Sequence, residues 1–216
     1  MAAVIFDLDG TLVDSAPDIH ASVNRMLGGE GEEALPFETV KRFIGSGVPT
    51  LIERVMAARG REGEAVRARW LARFMADYEA GSSDLTRPYP GVAEALAGIA
   101  AMGHGLGICT NKPERPARHV LAAFGLSGFF PVVVGGDSLP VRKPDPAPLR
   151  AAAAAFGAGP VIFVGDSEVD AETAAAAGVP FLLFTEGYRK SPVEAIAHRA
   201  RFDGFGALPG LVAGCL

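Results

Sequence analysis

Val4-Ile5-Phe6-Asp7-Leu8-Asp9-Gly10-Thr11 opens as an unbroken apolar run and ends in two carboxylates, a glycine and a hydroxyl. An apolar run without alternation is the mark of a strand covered on both faces, as in a parallel sheet. Four further runs read the same way: Gly105-Leu106-Gly107-Ile108-Cys109, Val132-Val133-Val134, Val161-Ile162-Phe163-Val164 and Phe181-Leu182-Leu183-Phe184. Between them the periodicity predicts helices over Val92 to Met102, Arg115 to Phe124, Pro148 to Phe156 and Glu168 to Ala177. Gly103, Gly125, Gly157 and Gly178 stand just past these helices, where a left-handed cap is wanted.

Strand followed by helix, repeated, implies an α/β fold: a doubly wound parallel sheet with right-handed crossovers, a Rossmann-like core. From about Ala16 to Asp84 the rhythm changes. That interval has no convincing strand and four amphipathic helical stretches, Asp18 to Leu27, Phe37 to Phe43, Val48 to Arg59 and Gly63 to Tyr78. The stretch Gly28 to Glu33 reads as an exposed loop, and Arg87-Pro88-Tyr89-Pro90-Gly91 as the stiff return to the sheet. The expected organisation is therefore a core of residues 1–15 and 85–216, with an inserted all-helical cap domain of residues 16–84.

Composition narrows the function. The 216 residues are 49% hydrophobic and 21% charged with a net charge of −5, enough for a packed core and without a basic stripe for nucleic acid. No apolar run approaches the roughly 18 residues of a membrane span, and no leader pattern opens the chain, so a soluble cytoplasmic protein is expected. Cys109 and Cys215 have no metal-ligand spacing and read as two free thiols. The histidines, His20, His104, His119 and His198, share no ligand spacing either.

Asp7 and Asp9 lie two residues apart at a strand end, so both point to one side, and parallel sheets bind ligands at the carboxyl ends of their strands. Asp and Gly also form ordinary turns there. Three more strand ends carry matching chemistry, however. Thr110-Asn111-Lys112 offers a hydroxyl and an amide suited to a phosphate oxygen. Arg142-Lys143-Pro144-Asp145-Pro146 offers a lysine fixed by prolines, and Gly165-Asp166-Ser167-Glu168-Val169-Asp170 puts one acid at a strand tip and another a turn into the next helix.

Together these motifs resemble the haloacid dehalogenase superfamily, with the helical insertion matching that superfamily's cap. Asp9 to Asp18, Ile44-Gly45-Ser46-Gly47, Tyr89-Pro90-Gly91-Val92, Thr110-Asn111-Lys112-Pro113 and Gly135-Gly136-Asp137 are similar to its bacterial phosphoglycolate phosphatase branch. The resemblance implies hydrolysis of a small phosphorylated metabolite, with 2-phosphoglycolate foremost. A broad sugar-phosphate phosphatase or a phosphoglucomutase-type isomerase is the alternative, and a binding protein that has lost catalysis is the non-enzyme reading. It further implies Mg2+, bound by the side chains of Asp7 and Asp166 and the Asp9 carbonyl, with Asp170 as ligand or as support behind them. Asp7 would attack phosphorus, Asp9 would serve as general acid and base, and Thr110, Asn111 and Lys143 would surround the phosphoryl oxygens. Members that cleave carbon–halogen bonds lack the second acid, and phosphonate-cleaving members carry alanine there. Asp9 thus favours phosphoryl transfer to water. In the cap, Arg42 or the Ser46-Gly47 loop before a helix is expected to meet the substrate's carboxylate. Partners are a small phosphorylated metabolite, with neither nucleic acid nor membrane, and the chain is a monomer or homodimer.

Overall fold

Strand β1 (Ala3–Phe6) is buried along its whole length because parallel strands flank both its edges and apolar side chains cover both its faces. The computed structural model describes residues 1–81 and 83–216. Ser82, inside the interval expected to form the cap, lies outside the described residues. The short β2 (Val13–Asp14) follows, then α1 (Ala16–Gly29), α2 (Phe37–Lys41), α3 (Val48–Ala58) and α4 (Glu64–Gly81). The chain returns through β3 (Arg87–Pro88) to α5 (Val92–Ala101), β4 (Gly105–Cys109), α6 (Glu114–Ala123) and β5 (Val132–Val134). It closes with α7 (Ala147–Ala154), β6 (Val161–Gly165), α8 (Glu168–Ala177), β7 (Phe181–Phe184), β8 (Ala200–Phe202) and α9 (Leu208–Ala213).

The main sheet has the order β5-β4-β1-β6-β7-β8, and its pairings are all parallel. The chain builds outward from β1 through β4 to β5, then crosses back to lay β6 on the other side of β1. That reversal opens a crevice at the carboxyl ends of β1 and β6, the position where open α/β sheets bind ligands. The register fixes what meets there: Phe6 lies level with Val164 and with Ile108, so the residues after each strand end emerge together.

Apolar side chains cover both faces. Val4, Phe6, Ile108 and Val164 pack with Leu96 and Ile99 of α5 and Leu208 of α9, while Ile5, Phe163 and Leu183 pack with Leu149 of α7 and Ala174 of α8. The expected glycine caps hold, with φ of 81°, 69°, 85° and 75° at Gly103, Gly125, Gly157 and Gly178.

The four inserted helices have an apolar cluster of their own, centred on Val23, Met26, Ile52, Val55, Trp70 and Phe74. One expectation needs correction: Gly28 and Gly29 continue α1 instead of opening the loop. Arg73 of α4 donates to the Gly29 carbonyl, which satisfies a backbone group that the helix end would leave open. The segments crossing between insertion and sheet pair with each other as an antiparallel ribbon, Val13 with Pro88 and Asp14 with Arg87. Asp18 fastens this crossing: buried in the first turn of α1, its carboxylate accepts from the Leu85 amide at 3.0 Å, the Thr86 amide at 2.7 Å and the Thr86 hydroxyl at 2.6 Å. Among the described residues no helix is long and apolar enough to cross a membrane. Cys109 and Cys215 are free thiols, and burial pushes the Cys109 thiol up to about 12.

Candidate active site

After Phe6 the chain turns tightly around one carbonyl: the amides of Thr11, Leu12 and Val13 all lie within 3.2 Å of the Leu8 oxygen. Gly10 makes the turn possible. Its φ is +86°, and a Cβ there would stand 2.6 Å from Asp166 Oδ2 and 2.8 Å from the Tyr188 ring, so only glycine fits on both counts. The turn leaves the Asp7 amide bonded to the Val164 carbonyl at 2.9 Å, which ties the Asp7 carboxylate to the tip of β6.

Three acids meet at this point. Asp7, Asp166 and Asp170 are buried and offer carboxylate oxygens that all lie within 4.8 Å of one another. Thr11 donates its hydroxyl to Asp166 Oδ1 at 2.7 Å, and the Tyr188 amide donates to Oδ2 at 2.6 Å. Asp170 reaches back from the first turn of α8, where its Oδ2 accepts from the Ser167 amide and hydroxyl and from the Asp166 amide. Lys143 lies between them, its Nζ 2.6 Å from Asp170 Oδ1 and 2.9 Å from Asp7 Oδ1.

One lysine among three buried carboxylates leaves negative charge uncompensated. Burial, reinforced by Asp170 and Asp9 and opposed by Lys143, pushes the Asp7 carboxyl up to about 6. Burial, then Asp170 and Asp7, hold the Asp166 carboxyl well above the usual range. Burial works against the Lys143 ammonium, yet Asp170 and Asp7 raise it overall. The donor set fits a hard divalent cation such as Mg2+: it is all oxygen, and among the described residues the buried Asp7 Oδ1 receives no properly directed hydrogen bond despite the nearby Lys143.

Asp9 faces a different environment. Its Oδ1 accepts from the Ser15 hydroxyl at 2.6 Å and from Lys112 Nζ at 3.0 Å. Lys112 is itself buried and also donates to the Tyr78 hydroxyl of α4. Sequence reasoning gave no role to Ser15, Lys112, Tyr78 or Tyr188. Lys112 was visible inside Thr110-Asn111-Lys112, but a lysine at a strand end reads locally as a solvated charge. The tyrosines carry no local signal at all.

Asp7, Asp9, Thr110 and Lys112 line one side of a cavity whose opposite side is Ile19, Ile44, Val48, Leu51, Phe74 and Tyr78 from the inserted segment. The Thr110 hydroxyl oxygen accepts from the Lys112 amide at 3.2 Å, which leaves its own hydrogen to donate. The Asn111 side chain is engaged elsewhere: its Nδ2 donates to the Gly45 and Lys143 carbonyls, each at 3.0 Å. It clamps the insertion to the Lys143 loop, so its side-chain amide is not presented to a phosphoryl group. Arg42 is exposed and lines a separate groove with Glu38, Lys41, Arg189 and Lys190. Ser46 Oγ accepts from Arg54 at 3.3 Å and does not line the cavity, whereas Gly47 does. Pro49 stands in the first turn of α3, which removes one of the amides that an anion at that helix end would use.

Comparison with known proteins bears on the family and the fold. A family model described as haloacid dehalogenase-like hydrolase matches residues 1–178. A phosphoglycolate phosphatase of Cereibacter sphaeroides is 54% identical over 98% of both chains, and one of Rhodobacter capsulatus is 42% identical over 98% of this chain and 97% of its own. The crystal structure of a predicted phosphoglycolate phosphatase from Haemophilus somnus 129pt superposes with a TM-score of 0.92 at 32% identity, covering 97% of each chain.

Proposed function

The chain belongs to the haloacid dehalogenase-like hydrolases, and from that premise we propose that Asp7 attacks small phosphate monoesters, 2-phosphoglycolate foremost, to release phosphate. The observation that carries the reading is the meeting of Asp7, Lys143, Asp166 and Asp170 at the β1/β6 crevice, with Asp9 held apart by its own partners. The name shared by the relatives from Cereibacter and Rhodobacter supports the substrate.

A phosphate dianion repels a carboxylate nucleophile, and its unaided hydrolysis is slow enough that accelerations approach about 10²¹-fold. Lys143, 2.9 Å from Asp7 Oδ1, draws the phosphoryl group toward Asp7 and orients the attacking carboxylate. Asp7 and Asp166 would hold Mg2+ through their side chains, with the Asp9 carbonyl as a further ligand. Asp170 supports them by holding Lys143 and the Asp166-Ser167 turn. When bound, Mg2+ supplies positive charge to the phosphoryl oxygens. Attack forms an aspartyl-phosphate on Asp7, which divides one hard step into two. Asp9, with Oδ1 anchored by Ser15 and Lys112, uses Oδ2 to protonate the leaving oxygen and then to take a proton from the attacking water. The Thr110 hydroxyl and the Asn111 backbone amide bind the remaining oxygens. Residues 1–15 and 85–216 act as the catalytic body and residues 16–84 as its cap, a division supported by the separate apolar cluster of the inserted helices.

The test is release of inorganic phosphate from 2-phosphoglycolate, with Mg2+ or with chelator. Turnover is expected to need Mg2+ and the Asp7 carboxylate. Chelator-indifferent turnover, or return of the phosphoryl group to a sugar acceptor instead of water, would overturn the reading.

A further inference from the structure

Asp7 and Asp9 face two cavities: one toward Asp166, Glu168 and Tyr188, which Lys190 also lines, and one that is mostly apolar on its cap side, where among the described residues Lys112 is the only cation. The Lys112 ammonium is buried and already pairs with Asp9 at 3.0 Å, and the exclusion of water strengthens its attraction to a second anion in the cavity. Lys112 has three N–H donors. One goes to Asp9 Oδ1 and one to the Tyr78 hydroxyl, and the third has no acceptor among the described residues. Tyr78, whose oxygen takes that second bond, still has its own hydroxyl hydrogen to give, and it lines the same cavity. Two donors therefore sit side by side, beside the acid that meets the leaving oxygen.

Distance identifies what they would bind. The leaving oxygen must come within hydrogen-bond reach of Asp9, and Lys112 Nζ is 3.0 Å from Asp9. In an ester of a 2-hydroxy acid the carboxyl carbon is two bonds from that oxygen, roughly 2.5 Å away. Arg42, the cationic residue that sequence reasoning favoured, lines a different groove.

Resting on the phosphatase reading above, we propose that Lys112, with the Tyr78 hydroxyl beside it, binds the carboxylate of the substrate's leaving group and makes the enzyme selective for phosphate esters of small hydroxy acids. Lys112 is thus a specificity residue joining core to cap, and it recognises the part of the substrate that carries no phosphorus.

The experiment compares kcat/KM for 2-phosphoglycolate and for ethyl phosphate, which keeps the ester and replaces the carboxylate by a methyl group. The unsubstituted protein is expected to prefer 2-phosphoglycolate. Lys112→Met should reduce that preference by about 10- to 100-fold, the range of a hydrogen bond to a charged group, and Lys112→Arg should keep more of it. Tyr78→Phe should reduce it by a smaller factor. Lys112 also holds Asp9, so both rates will fall in the Met variant; the ratio is the readout, and equal losses on both esters would overturn the proposal. A measurement on the unsubstituted protein guards against a variant that does not fold: glycolate should inhibit ethyl phosphate hydrolysis at least about 10-fold more tightly than neutral glycolamide, and equal inhibition also overturns it. Failure to release phosphate from either ester would instead overturn the phosphatase reading itself.

Discussion

Asp7 and Lys143 make opposite predictions about stability, which separates their roles. Asp7→Asn removes the proposed nucleophile and should lower phosphate release by at least about 10³-fold, since losing a nucleophile costs orders of magnitude. The same change removes one charge from a crowded buried acid cluster, so in chelator the variant should melt higher than the parent protein. Lys143→Ala removes the cation between Asp7 and Asp170 and leaves buried carboxylates unpaired. In chelator it should lose about 3–5 kcal/mol in urea unfolding, besides losing activity. A common loss of stability in both would mean that the acids are packed as structural pairs. The acids of this cluster were legible in the sequence because each sits at a strand tip or one helical turn beyond it, whereas Lys143 lies in the loop between β5 and α7 and was legible through its flanking prolines. Their partners were not: Thr11 and Asp166 are 155 positions apart and Lys112 and Asp9 are 103 apart, and such contacts leave no local pattern.

At the scale of elements, the strands read from unbroken apolar runs were found, and those lacking such runs were missed. In β8 only Phe202 is buried, because an edge strand is covered less than a central one. The ribbon of β2 and β3 is two residues long on each side and contains Pro88, tolerated only because an edge strand can forgo a donor. This ribbon nevertheless controls how the inserted helices join the sheet, and Asp18 is its fastener. Asp18→Ala would remove the acceptor that the Leu85 and Thr86 donors share, at a cost of about 2–4 kcal/mol, whereas Asp18→Asn, which keeps an acceptor, should cost less. Urea unfolding of the two variants measures the difference. If they were equally stable, the carboxylate would not be the group that holds the crossing.

For the whole molecule the same buried charge sets how stability depends on pH and metal. Below pH about 4 the Asp7 carboxyl is protonated in both folded and unfolded chains. Its ordinary value is 3.8 and its folded value about 6, so between these limits the unfolded chain gives up its proton while the folded one keeps it. Folding therefore binds a proton in that window, and the site's contribution to stability falls as pH rises from about 4 to 6. Asp166, raised in the same direction, steepens the fall. Mg2+ held as proposed would bind the deprotonated acids and compete with those protons, so its stabilising effect is expected to grow with pH. At about 100 times its dissociation constant the ion contributes about 2.7 kcal/mol, roughly a 5–10 °C rise in melting temperature for a chain of this size. We expect that rise at pH 7.5 and less than half of it at pH 5. Equal shifts at the two pH values would mean that the ion is held by groups other than Asp7 and Asp166. The crevice between β1 and β6 would then lose the electrostatic reason for its acids.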